Sequence, residues 1–196
     1  MRSISREVVI DPSETIRRAP QENVITMSKA YLVGVIHDAT ERKNTYRISS
    51  KEKEYIQFLA EMIHGMNYNA WTYREGKTRD MHVVEFSKSV IKDVKIKTMQ
   101  EKIDYIRGYF DAEESVPKSR NSRFYIYFSQ KNKEDLEKLK SYLIELGFIC
   151  GKTHNPSKLK DPNYWRFFIG CKSYSKFVNT IGSWHPIKSQ LLRMKR

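Results

Sequence analysis

The stretch that decides the fold is EKIDYIRGYFDAEES, residues 101–115. It has the apolar spacing of an amphipathic helix, and three acids, Asp111, Glu113 and Glu114, gather at its end. Carboxylates at a helix C-terminus are disfavoured by up to about 1 kcal/mol each, because the helix dipole is negative there. The chain carries a formal net charge of +13, so an acidic cluster at this place indicates a specific role.

A second stretch of the chain repeats this layout. SKAYLVGVIHDAT, residues 28–40, predicts a helix that carries Gly34 where the other helix carries Gly108. Farther along, TYRISSKEK (45–53) aligns with YIYFSQKNK (125–133), and VEFS aligns with FFIG. Two copies of so long a repeat predict a pseudo-twofold chain rather than a solenoid.

The repeat predicts an α+β fold of two tandem α-β-β-α-β-β-α halves, 28–97 and 98–196. Residues 1–27 precede it, and we expect a flexible or surface-wrapping extension. The predicted helices lie at 28–38, with Ser28 as N-cap, across 56–63, at 88–93, at 99–113, across 136–146 and at 173–182. The predicted strands lie at 45–49, 68–74, 82–87, 123–129, 148–154 and 163–169.

Composition indicates a partner that is a polyanion. Basic residues are spread along the chain and aromatic residues reach 12%, which suits nucleic acid, the commonest such partner. No apolar run approaches the roughly 18 residues of a membrane span, and the N-terminus lacks the apolar core of a secretory signal. Cys150 and Cys171 have apolar neighbours and no pairing pattern. We therefore expect buried thiols in a reducing intracellular compartment, the cytoplasm or an organelle.

The matching glycines predict that two helices touch. Gly34 and Gly108 have no side chain to hold the backbones apart, although each costs its helix about 1 kcal/mol. If the helices cross there, their acidic ends meet and repel unless cations neutralise them. Carboxylate oxygens suit Mg²⁺, so the acids are expected to hold metal, which can activate water for phosphodiester hydrolysis.

The nine residues IRGYFDAEE, 106–114, resemble the signature of the LAGLIDADG homing endonuclease family in its LRGYFDAEG form. The ending IGSWHPIKSQLL and the spacing of LGFICG and YWRFFIG are similar to the family as well, so the resemblance covers residues 28–192. It implies a central two-helix interface, two antiparallel saddle-shaped sheets, and a monomer that binds a long, asymmetric double-stranded DNA site. It further implies an endonuclease encoded in an intron or intein-type element, which cuts both strands with 3′ overhangs.

The resemblance also implies the site residues. Mg²⁺ would be held at Asp38, Ala39, Ala112 and Glu113; Mn²⁺ would substitute, and Ca²⁺ would bind without turnover. Lys51 and Lys131 occupy matching places after a strand, where a basic residue of the family lies near the scissile phosphate. The alternative for these lysines is a surface charge at a helix start.

The first helix departs from the family pattern. The acid belongs in the eighth place, which is Glu113 in the second motif but Ala39 in the first. Asp38 falls one residue early, about 100° of helix rotation away. Either the last turn unwinds and brings Asp38 into place, or the first acid is absent and the protein nicks or only binds, or Glu41 serves from the loop.

The outward residues of the strands and the basic loops predict the surface that reads DNA. Its candidate residues are Arg42, Lys43, Asn44, Thr45, Arg47, Ser49, Trp71, Tyr73, Arg74, Lys77, Arg79, Lys118, Arg120, Arg123, Tyr125, Tyr127, Ser129, Lys152, His154, Lys158 and Arg166. Two rival functions keep the fold without the cleavage. One is a maturase that assists splicing of intron RNA, and the other is a sequence-specific DNA-binding regulator.

Overall fold

A computed structural model of the chain describes residues 29–76, 80–113, 116–117 and 122–194. The Ser28 cap and the 1–27 extension lie outside these residues. The helices of these residues are α1 (29–35 as described), α2 (Lys53–Gly65), α3 (Met99–Ala112), α4 (Lys133–Glu145), α5 (Tyr174–Thr180) and α6 (Pro186–Met194). The strands are β1 (Thr40–Glu41), β2 (Thr45–Ser50), β3 (Ala70–Glu75), β4 (Met81–Ser87), β5 (Tyr127–Gln130) and β6 (Trp165–Phe168).

Both halves contain a helix, a strand, a second helix and a further strand in that order, and together they confirm the mixed α/β fold, although the first half has four strands and the second has two. In the first half an antiparallel sheet of order β1-β2-β4-β3 packs against α2, and in the second β5 and β6 pair beside α4. β2 and β5 end 80 residues apart, at Ser50 and Gln130, and the 13-residue helices that follow keep that offset. The alignment of TYRISSKEK with YIYFSQKNK is therefore confirmed in three dimensions.

Each half has its own hydrophobic core, and α1 and α3 lie between the two cores. The first core gathers Tyr31, Leu59 and Phe86, the second gathers Phe110 and Phe128, and Val33 packs against both. The predicted apolar stripes of α2 and α4 are buried in these cores. α3 begins with a reciprocal cap, because Thr98 Oγ1 accepts from the Glu101 amide and the Glu101 carboxylate accepts from the Thr98 amide.

The second half departs from the predicted strands. The strand expected at 123–129 begins only at Tyr127, and 148–154 forms two isolated bridges, Cys150 to Ile169 and His154 to Arg166. Cys150 and His154 are four positions apart in sequence, whereas their partners Ile169 and Arg166 are three positions apart. One extra residue therefore bulges from the 150–154 side and interrupts a regular ladder.

Three smaller predictions also need correction. The helix expected at 88–93 is a short 3-10 turn, Lys88–Ile91, and 173–182 divides into a 3-10 turn, Cys171–Ser173, followed by α5. α6 was not among the predicted helices. Cys171 is exposed rather than buried, since it lies on the turn, whereas Cys150 is half-buried. No helix among the described residues is both long and apolar enough to cross a membrane.

Candidate active site

The site begins where α1 and α3 cross at their glycines. A Cβ atom added to Gly108 would lie 2.0 Å from the Tyr31 carbonyl oxygen, and one added to Gly34 would lie 2.1 Å from that of Tyr105. Both contacts are with backbone, which cannot rotate aside as a side chain can. The two backbones therefore touch at this crossing, and only glycine fits on either side of it.

The two helices end in the same backbone conformation. Ala39 caps the first in extended geometry (φ −78°, ψ 145°), and its amide donates to Ile36 O over 3.0 Å. Glu113 caps α3 in extended geometry (φ −89°, ψ 153°), and its amide donates to Tyr109 O over 3.2 Å. Ala39 is thus the backbone counterpart of Glu113. The last turn of the first helix tightens to a 3-10 turn, Ile36–Asp38, which carries Asp38 on an exposed position.

A cavity of about 370 Å³ lies at these helix ends. Its wall gathers Asp38, Ser49 and Lys51 from the first half with Ala112 and Lys188 from the second. The side chains of Lys131, Glu113 and Ala39 are not part of this wall as described. Glu41, the alternative acid for the first helix, does not line this cavity, and its carboxylate forms a salt bridge with Lys88 Nζ at 2.5 Å.

Asp111 has a different role from the one expected of the acidic cluster. Its buried carboxylate accepts hydrogen bonds from Tyr31 Oη at 2.7 Å, from the amides of Trp184 and His185 at 2.9 and 3.2 Å, and from Ser183 Oγ. Burial raises the pKa of Asp111, and these donors oppose the shift. Asp111 therefore secures the chain that leads into α6 and does not face solvent as a metal ligand.

Lys188 places a cation at the end of α3. Its ammonium donates to the carbonyl oxygens of Phe110 and Asp111, both at 2.8 Å, and to that of Glu113. A cation on these carbonyls offsets the negative end of the helix dipole. Part of the neutralisation that we assigned to metal is thus supplied by the protein. The side chain was not predicted, although its place in the amphipathic run IKSQLL is a signal for a packed helix.

The C-terminal segment also brings His185 to the same cavity. Its ring lies 4.6 Å from that of Tyr55, centroid to centroid, and its Nδ1 atom is buried without a hydrogen-bond partner. Burial, helped by the nearby Lys188 ammonium, lowers the pKa of His185 to about 4. The imidazole is therefore neutral at pH 7.

The first sheet presents a polar and aromatic face to solvent. Trp71 and Tyr73 of β3 are 54% and 40% exposed, and Ser49 of β2 is exposed as well. Arg47 Nη2 pairs with Glu75 at 2.6 Å. Arg74 was expected on this face but lies on the α2 side of the sheet, because side chains alternate along β3; it lines a pocket there with Lys53 and pairs with Asp80 at 2.9 Å. Lys43 and Asn44 are exposed on the turn before β2, together with Arg42. Thr45 is half-buried and donates to Glu85.

The second sheet presents a different set of side chains. Arg166 lies over the ring of Phe168 at 5.2 Å and approaches His154, and Tyr125 and Tyr127 pack beside the same ring. Arg123, Lys152 and Lys158 are exposed. Ser129 was expected outward but is only 6% exposed, because it lies under the Tyr109 hydroxyl that donates to its carbonyl. Lys77, Arg79, Lys118 and Arg120 lie outside the described residues.

Residues 100–182 match the family model of the LAGLIDADG-like domain. The match lies within the second half of the chain. No curated protein sequence matches it.

The fold of most of the chain is similar to that of solved LAGLIDADG structures. Mesophilic variants of the homing endonuclease I-DmoI align with a TM-score of 0.63 and 23% identity, over 81% of this chain and 97% of that one. I-DmoI in complex with DNA and Mn aligns with a TM-score of 0.61 and 22% identity, over the same shares. The N-terminal LAGLIDADG domain of DUF199/WhiA aligns with a TM-score of 0.63 and 13% identity, over 85% of this chain and 92% of that one.

The ends of the two crossing helices carry oxygen donors of the kind that Mg²⁺ takes. No group of three or more His, Cys, Asp or Glu side chains is placed to hold a metal within the described ranges. Mg²⁺ is commonly bound by one or two protein carboxylates together with waters and substrate phosphates. Asp38 and Glu113 are carboxylates of this type at the ends of the two helices, and Ala39 and Ala112 are their neighbours in sequence.

Proposed function

We propose that the protein is a single-chain, site-specific DNA endonuclease that hydrolyses phosphodiester bonds with Mg²⁺ at the ends of α1 and α3. The observation that carries this proposal is the glycine crossing, because it brings Asp38, Lys51 and Ala112 to one cavity. The net charge of +13 and the two solvent-facing sheets support a long, asymmetric duplex as the partner of a monomer. We place it in the cytoplasm or an organelle, encoded in a mobile element.

Asp38, Glu113 and the carbonyls of Ala39 and Ala112 would hold the metal. Bound there, Mg²⁺ supplies activation of water and stabilisation of the leaving 3′ oxygen. Mn²⁺ would support the reaction, and Ca²⁺ would support binding. The Lys188 ammonium donates to the backbone carbonyl oxygen of Glu113. This contact fixes the backbone from which the Glu113 carboxylate extends.

Lys51 and Lys131 would act on the scissile phosphates. Both are exposed and both stand one residue after a strand, just before the cap of the next helix. A cation there stabilises charge that develops on the phosphate. Lys51 shares the cavity wall with Asp38, so the first-half lysine is the better placed of the two.

A second candidate function rests on Ala39. Because Ala39 has the backbone conformation of Glu113 but no carboxylate, one strand would lack its acid. The protein would then nick, or would bind DNA or intron RNA without cutting. The N-terminal domain of DUF199/WhiA has the same fold, so the fold alone does not decide between cleavage and binding.

Cleavage of a selected site separates the two. A duplex library with a randomised centre is enriched for binding with Ca²⁺ present, and the enriched site, labelled on each strand, is then incubated with Mg²⁺. The endonuclease cuts both strands, a nickase cuts one, and a binding protein leaves both intact. A maturase would instead accelerate splicing of its host intron RNA.

Two carboxylate variants assign the cut strands. Glu113→Gln should abolish cleavage of at least one strand and Asp38→Asn that of the other, with binding retained in Ca²⁺. Glu61→Gln, on the exposed side of α2, removes one carboxylate away from the site and should cut like the wild type. Unchanged cleavage in Glu113→Gln would refute the proposed metal site.

A further inference from the structure

The solvent-facing side of the first sheet carries a carboxylate at its centre. Strand pairing sets Arg47 of β2 and Trp71 of β3 on either side of Glu85, which lies on the inner strand β4. The side chain of Glu85 is 15% exposed. It therefore lies within the face that would meet DNA, and at its middle rather than on its rim.

Three neighbours converge on the Glu85 carboxylate. Thr45 Oγ1 donates to Oε1 at 2.6 Å, and Tyr73 Oη donates to Oε2 at 3.0 Å. Arg42 Nη1 lies 3.4 Å from the same Oε2 atom. The hydrogen bond from Thr45 is the main cause that lowers the pKa of Glu85. The group is thus an ionised acceptor at neutral pH, held in one orientation. A carboxylate has about four acceptor positions, so these contacts leave capacity for a further donor.

A negative charge in this place opposes phosphate binding, so it needs a specific donor to be useful. Arg47 does not need Glu85 as its partner, because it pairs with Glu75 at 2.6 Å. In the major groove the base-edge donors are the amino groups of cytosine (N4) and adenine (N6), and acidic side chains accept from the former. Glu85 is suited to such a contact.

The second sheet shows the contrast. Arg166, His154, Tyr125 and Tyr127 face solvent there. Among the described residues of that face we find no carboxylate. The Arg166 guanidinium can donate hydrogen bonds to base edges that carry acceptors, such as the N7 and O6 atoms of guanine. The two halves are therefore built to read different base patterns.

We propose that Glu85 is a specificity-determining residue that accepts a hydrogen bond from the exocyclic amino group of one base in the half-site bound by residues 28–97. This inference rests on the proposed function, because it requires that the sheet face binds DNA. Thr45 and Tyr73 act as positioning residues that hold the carboxylate toward the groove.

Selection from a randomised duplex library in Ca²⁺ tests the inference. The wild type should enrich a site with cytosine or adenine at one position of the first half-site, and Glu85→Ala should lose the preference there alone. Replacing the selected cytosine by 2-pyrimidinone, or the selected adenine by purine, removes only the amino group. It should weaken wild-type binding roughly 5- to 150-fold and leave Glu85→Ala unaffected. The substitution that weakens binding identifies the base.

Two controls keep the outcomes separate. Glu61→Ala removes a carboxylate from α2 and should enrich the wild-type site at every position. Glu85→Met keeps the length of the side chain without an oxygen acceptor and replaces Glu85→Ala should that variant unfold. If wild type and variants enrich the same site, this inference is wrong and the proposed function stands. If the wild type enriches no sequence, both fail together.

Discussion

Replacing Gly108 by alanine should force the central helices apart. The new Cβ would lie 2.0 Å from the Tyr31 carbonyl oxygen, and an ordinary contact begins at 3.4 Å, so the backbones must separate by about 1.4 Å. A gap of 0.5–1 Å forfeits a quarter to a half of each dispersion contact, and overpacking of this kind costs about 1–3 kcal/mol, occasionally more.

The magnitude follows from opposing terms. Alanine favours the helix over glycine by about 1 kcal/mol, while the clash is with backbone on both sides and takes the upper part of the overpacking range. The expected net loss in free energy of unfolding is about 2 kcal/mol, which lowers the Tm by about 4–8 °C at this chain length. Thermal and urea unfolding followed by circular dichroism measure both quantities.

Gly65→Ala is the matched control. Gly65 is the last residue of α2, and a Cβ there would meet no atom within 4 Å. Its stability should stay within about 1 kcal/mol of the wild type, on the stabilising side. Gly34→Ala should resemble Gly108→Ala, and the double variant should lose less than the sum, because one separation relieves both clashes. A Gly108→Ala variant as stable as the wild type would refute the backbone-to-backbone crossing.

Three further perturbations act on the segment that joins the helix ends to α6. Asp111→Asn puts an amide donor among groups that all donate to this carboxylate, and should lower the free energy of unfolding by about 1–3 kcal/mol in urea titration. Lys188→Met removes the ammonium from the last carbonyls of α3 and should cost about 1–3 kcal/mol by the same assay. Because His185 has a pKa of about 4 when folded and its ordinary value of 6.5 when unfolded, the unfolded chain binds more protons between these values. Stability should therefore fall as the pH is lowered from 6.5 to 4, and His185→Gln should flatten that slope.

Each of these has its own check. Lys176 donates to Leu146 O and Gly147 O at the end of α4 but is exposed, so Lys176→Met should lose less than Lys188→Met. Equal losses would contradict a special role at α3. For Asp111→Asn, unchanged stability would mean that the carboxylate does not secure α6. A pH slope that persists in His185→Gln would assign it to other groups.

Periodicity and repetition were enough to predict the scaffold. Ile56, Leu59 and Ile63 recur at helical spacing and are buried in α2. A glycine lowers helix stability, so its presence at the same place in both helices predicted that the backbones cross there. Strands were less predictable. The one-residue bulge between Cys150 and His154 is not visible in the local sequence pattern. It depends on how this segment pairs with residues 166–169, which are farther along the chain.

The site was predictable in part for the same reason. Its motif residues lie on the two central helices, so sequence spacing brings Asp38 and Ala112 to one cavity. Lys188 arrives from a helix more than 70 residues beyond α3, and Asp111 turns inward because Ser183 and its neighbours offer it donors. Such contacts are set by tertiary packing. In sequence, Asp111, two residues before the cap, therefore looked similar to Glu113 at the cap.

The most direct test of the central claim is anomalous diffraction from crystals of the protein bound to its selected DNA site and soaked with Mn²⁺. The account predicts a manganese peak at the crossing ends of α1 and α3, within about 2.0–2.3 Å of a Glu113 carboxylate oxygen and beside the backbone phosphates. A map with Glu113 ordered against the DNA and no peak near it would contradict the claim that these helix ends hold the metal.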